Sequence, residues 1–165
     1  MVKHLKVDIF PISKENIPSY LTERGIKTND FFIQYLGHAK YESVFNTSQV
    51  EVIITNLEEM GFTKPVTHDE IKTKALDLGY KVAPPHLAFY LRLAMLDQPP
   101  SANIILSKQA FPDSAIQVFV DKIEPDDDFP RSVYLRNVDG ALWLRAARYT
   151  DDYLFSLNSS FAFVL

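Results

Sequence analysis

The clearest pattern in the chain is the spacing of Ile71, Ala75 and Leu78, which fall at i, i+4 and i+7 and predict one apolar helical stripe. Thr67-His68-Asp69-Glu70 precedes it as a capping box, in which Thr67 and Glu70 satisfy each other's free backbone N–H groups, and Gly79 follows as the stop. Two shorter helices are predicted upstream. One runs to about Arg24 with Gly25 behind it; Pro18 belongs in a first turn, which favours Asn16 over Ser13 as the cap. The other covers about Asn29 to Leu36, opening at Thr28 and closing at Gly37. Val50 to Thr55 is rich in β-branched residues and predicts a strand.

His86 to Leu96 fits two periods. Leu87, Phe89, Leu91, Leu93 and Met95 alternate as in a strand, while Leu87, Tyr90, Leu91, Ala94 and Met95 share a helical face. Leu, Ala and Met favour the helix, and Pro84-Pro85 suits its entry. Asp97-Gln98-Pro99-Pro100 ends it.

Beyond residue 102 the pattern changes to strands. Asn103–Lys108 and Ala115–Ile123 are β-rich runs separated by Phe111-Pro112-Asp113. Arg131–Val138 and Ala141–Tyr149 flank Asp139-Gly140, the strongest short-range hairpin signal in the chain. The chain closes in an apolar strand, Ser160–Leu165, expected to pair into the sheet. The expected architecture is one α+β domain over residues 1–165. Two or three helices from the N-terminal half would pack on one face of a mainly antiparallel sheet of about five to seven strands, built largely by the C-terminal half.

Composition narrows the chemistry. The 165 residues are 47 % hydrophobic, with twelve Phe and eight Tyr, enough for an aromatic-rich core that needs no staples. There is no cysteine, which removes disulfides, thiolate metal sites and cysteine nucleophiles. No run approaches the ~20 apolar residues of a membrane span, and the first residues do not read as a signal peptide, so a cytoplasmic setting without membrane contact is expected. The net charge is −4 with acids and bases interspersed, which argues against nucleic acid.

The five glycines stand apart, at 25, 37, 61, 79 and 140, so no phosphate-cradling loop and no nucleophile elbow can be built from them. His4, His38, His68 and His86 show no metal-ligand spacing, and His68 is expected in solvent. Glu124, Asp126 and Asp128 alternate as in a calcium loop but lack its glycine, and Pro125 and Pro130 stiffen them; this run and Asp151-Asp152 read as solvated connections. No cofactor is expected.

Two surfaces hold candidate chemistry. A two-residue turn at Asp139-Gly140 pairs Leu135 with Leu144, Val133 with Ala146 and Asn137 with Leu142 on one largely apolar face. The other face then pairs Tyr134 with Arg145 and Arg136 with Trp143, with Tyr149 further along. Rings beside guanidinium groups are typical of binding hot spots and suit a protein partner or a small anionic or aromatic ligand. Equally, such a ladder can be purely structural. The second surface spans Tyr80, His86, Tyr90, Arg92, Asp97 and Gln98. Arg92 could pin Asp97 and Gln98 to hold the turn, or grip an anionic substrate while His86 or Asp97 moves a proton. The reading is a non-catalytic binding or interaction module using the hairpin face. The alternative is a small hydrolase or transferase near Arg92 and Asp97. Oligomeric state is not legible.

Leu78-Gly79-Tyr80, Ala83-Pro84-Pro85, Leu91-Arg92-Leu93, Asp97-Gln98-Pro99, Trp143-Leu144 and Phe161-Ala162-Phe163-Val164-Leu165 resemble the motifs of a family of uncharacterised bacterial proteins. The resemblance spans most of the chain and implies a bacterial origin and a shared fold. It implies no activity and no site residue.

Overall fold

The computed structural model describes residues 2–101 and 114–165. The capping box forms as the sequence predicts. Thr67 accepts from the Glu70 backbone and Glu70 returns to the Thr67 N–H at 2.8 Å, opening helix α3 (His68–Asp77). Helix α1 (Ile17–Glu23) begins after Asn16 with Pro18 in its first turn, and Gly25 leaves it at φ +71°. Helix α2 (Asp30–Leu36) is capped by Asn29, one residue later than expected. The Asn29 amide does more than Thr28 can: it accepts from Phe32 N and Ala146 N and donates to the Ala146 carbonyl, tying the helix start to a strand. The two-period segment is helical, as α4 (Leu87–Ala94).

Among the described residues seven strands form one mixed sheet: β1 (Lys3–Ile9), β2 (Lys27–Thr28), β3 (Ser48–Asn56), β4 (Ile116–Val118), β5 (Ser132–Val138), β6 (Ala141–Ala147) and β7 (Ser160–Val164). Their spatial order is β1-β3-β7-β4-β5-β6-β2. Four pairings are antiparallel, whereas β4–β7 and β2–β6 are parallel. The sheet therefore draws on both halves of the chain, since β1, β2 and β3 all precede residue 57. The run Ala115–Ile123 contributes only three strand residues. Phe119 still donates its N–H to the Ala162 carbonyl of β7, but its own carbonyl turns out of the ladder and accepts from Ala83 N at 2.8 Å. The predicted Asn103–Lys108 strand lies outside the described residues.

Helices cover both faces, not one. Ile17, Leu21, Phe32, Tyr35 and the α4 residues Leu87–Leu91 pack with Val52, Ile54, Val133, Leu135, Leu144 and Ala162. On the reverse face Ile71 and Ala75 of α3 join Ile53, Phe119, Phe155, Phe161 and Phe163. Leu78, predicted to extend the α3 stripe, is 42 % exposed. It is the C-cap residue, and Gly79 at φ +84° turns the chain away so that Tyr80 N returns to the Ala75 carbonyl.

The hairpin adopts the two-residue turn, with Asp139 and Gly140 at φ 51° and 85°. Its register pairs Asn137 with Leu142, Leu135 with Leu144, Arg136 with Trp143 and Tyr134 with Arg145, as predicted. A Cβ on Gly140 would meet nothing within 4 Å, so its requirement is purely conformational. Gly140→Ala should cost about 1–2 kcal/mol, read as a lower urea midpoint with an unchanged slope.

Candidate functional site

The reverse face of the β5–β6 hairpin carries the ring and guanidinium groups, but it does not stay open along its length. Tyr134 is 3 % exposed, Arg136 4 % and Tyr149 9 %. Tyr149 owes its burial to the second apolar layer, to which it belongs. Gln117 of β4 pairs with Tyr134 on one side and Phe161 on the other, so this row of the sheet runs under the aromatic cluster. Tyr149 packs against Phe155, with ring centroids 5.4 Å apart, and its burial raises the phenol pKa.

Nearer the sheet edge the ladder opens. Trp143 and Arg145 are half-buried and Lys27 is exposed. The Arg145 guanidinium carbon lies 4.8 Å from the Trp143 ring centroid and the Lys27 ammonium 5.6 Å, so two cations flank one indole. Arg145 is held there by Nε donating to the Tyr134 hydroxyl at 3.1 Å. Lys27 arrives through the parallel pairing of β2 with β6, in which it stands opposite Trp143. Among the described residues neither cation forms an ion pair with a carboxylate. Sequence reasoning missed Lys27 because a two-residue strand pairing across more than a hundred residues leaves no periodic signal.

Of the second candidate surface, the structure brings Arg92 to Gln98 and His86 to Tyr90 and sets Tyr80 and Asp97 apart. Arg92 is fully buried and donates to Gln98 Oε1 at 2.7 Å, the Trp143 carbonyl at 3.2 Å, the Arg136 carbonyl at 3.4 Å and the Met95 carbonyl. Burial lowers its pKa to about 10, so the guanidinium stays charged at neutral pH. Gln98 passes the network on, donating to the Ser114 and Leu135 carbonyls, while its own carbonyl accepts from Asn137. Asp97 is exposed and joins none of this. Tyr80 packs on Phe163 in the opposite layer. Tyr90 donates its hydroxyl to the Phe10 carbonyl, and His86, half-buried beside the Tyr90 ring, has its pKa lowered by burial. Arg92 thus pins the turn after α4 through Gln98, without Asp97, and supports the Trp143 backbone from behind.

His68 departs from its expected solvent position. Its side chain is 14 % exposed, stacked on Phe119 at 4.4 Å, with Nε2 donating to the Val120 carbonyl at 2.9 Å. Asp127 and Asp151, from connections predicted to be merely solvated, both pair with Arg131. Among the described residues no group of three or more His, Asp or Glu is placed to hold a metal ion, and no helix is long and apolar enough to cross a membrane.

No protein-family model, no curated protein and no solved structure matches the chain. The resemblance carried by the Leu-Arg-Leu and Asp-Gln-Pro motifs accordingly brings no residue role with it.

Proposed function

We propose that the chain is a non-catalytic binding protein that receives an acidic protein segment at Trp143, between Arg145 and Lys27. The observation that carries this reading is a half-buried indole flanked by two cations that, among the described residues, pair with no carboxylate. Such a group attracts carboxylates through the cations and offers the partner a flat apolar surface, the pairing found in hot spots. The buried part of the ladder, Tyr134, Arg136 and Tyr149, serves as its rigid base. Nothing favours the alternative of a hydrolase or transferase near Arg92 and Asp97. There the cation is spent on neutral carbonyls and the acid faces solvent elsewhere.

Trp143 is the sole tryptophan, so its fluorescence reports the site directly. N-acetylated penta-glutamate should shift its emission saturably and weaken with salt, whereas penta-lysine should not. The double reversal Lys27→Glu with Arg145→Glu should cut affinity at least about tenfold, equivalent to about 1.4 kcal/mol. Unchanged affinity in that variant would overturn the proposal.

A further inference from the structure

A concave site lies on the reverse face, at the opposite end of the hairpin from Trp143. It is a cleft of about 300 Å³ between the start of α3, the segment after β4 and the segment after β6. That volume is at the low end for small-ligand sites. Tyr149 is the one member of the predicted hairpin face that lines it.

The floor is fixed. Arg131, with its side chain 1 % exposed, donates to Asp151 at 2.7 Å, Asp127 at 2.6 Å and the Pro125 carbonyl at 3.0 Å. His68 is clamped between Phe119 and the Val120 carbonyl, which leaves Nδ1 as the ring's free nitrogen, 3.8 Å from Asp69. The rim is different. It consists of two cross-cleft ion pairs, Lys72–Asp121 at 2.8 Å and Lys122–Asp151 at 3.2 Å, each partner more than a third exposed, with Asp151 shared between Lys122 and the Arg131 of the floor. Exposed pairs of this kind hold weakly, so a ligand can exchange for them at little cost.

We infer that this cleft binds a small zwitterion of the amino-acid class, its carboxylate received by Lys72 and Lys122 and its ammonium by Asp121 and Asp151. The alternation of sign around the rim decides the class. A simple anion that reaches either lysine also sits beside an aspartate, and a simple cation meets the reverse conflict. Only a molecule carrying both charges replaces both rim pairs without leaving a charge opposed.

The test is an amide NMR titration of the whole chain. Probes are a panel of the L-amino acids, an equimolar acetate–methylammonium mixture, and inorganic phosphate. At least one amino acid should give saturable shifts confined to the amides around His68, Lys122, Arg131 and Asp151. The untethered mixture and phosphate should give none. Asp121→Asn and Lys72→Met, both at the rim, should each weaken binding by about tenfold or more while leaving the melting temperature unchanged. The inference is overturned if no amino acid saturates, if phosphate or the mixture produces the same shifts, or if both rim variants bind as the parent does.

Discussion

A chain stopped at Ser160 is expected to have no cooperative folded state at room temperature. The five residues removed include nearly all of β7, which lies in the middle of the sheet, antiparallel to β3 and parallel to β4. Without it the β1–β3 pair loses its hydrogen-bonded connection to the strands from β4 to β2. The removed side chains also serve both layers. Ala162, 0 % exposed, belongs to the α1–α2–α4 side, while Phe161 and Phe163, 2 % and 0 % exposed, sit at the centre of the α3 side. Burial of two phenylalanines alone stabilises by roughly 3–6 kcal/mol, and the lost ladder adds to that. A domain of this size has about 5–15 kcal/mol in total. Circular dichroism through a urea series checks this. A truncated chain that unfolds cooperatively near the parent midpoint would show that β7 is dispensable.

Replacing Arg92 by Met should lower stability by on the order of 3 kcal/mol. The stem keeps its packing, but Gln98 Oε1 and the carbonyls of Met95 and Trp143 lose a charged donor in a fully buried setting. Arg92→Lys should recover little of the loss, because one ammonium cannot span the acceptors that two guanidinium nitrogens reach. Urea denaturation of both variants measures the effect. Variants as stable as the parent would mean that the network does not hold the turn after α4, and would reopen a catalytic role for Arg92.

The parts of the fold legible in the sequence are those decided by neighbours along the chain. The Thr67 capping box, the Asp139-Gly140 turn and the register of β5 against β6 all follow from local chemistry, and the structure reproduces each. Leu5, Val7 and Ile9 of β1 also alternate over a seven-residue strand, a local signal that sequence reasoning missed. What the sequence does not carry is which side of the sheet an element chooses. Helix α3 has the same kind of apolar stripe as the others but crosses to the reverse face. That crossing builds the aromatic layer in which Tyr149 is buried, at the far end of the ladder from Trp143.

The same limit applies to the sites. Alternation along β5 and β6 placed Trp143 and Arg145 on one face, but Lys27 joins them by a pairing that only the assembled sheet reveals. Arg131, His68 and the two rim ion pairs come from four separate segments of the chain, and none of them carries a motif. Their common feature, charge gathered around a concavity, exists only in three dimensions.

The binding reading depends on an indole that meets solvent in a field of positive charge. Collisional quenching of Trp143 by iodide and by caesium, each scaled to N-acetyltryptophanamide, measures both properties together. Iodide should quench more efficiently than caesium in the parent, and the order should reverse once Lys27 and Arg145 are both changed to Glu. An indole reached by neither ion, or by both equally, would contradict it.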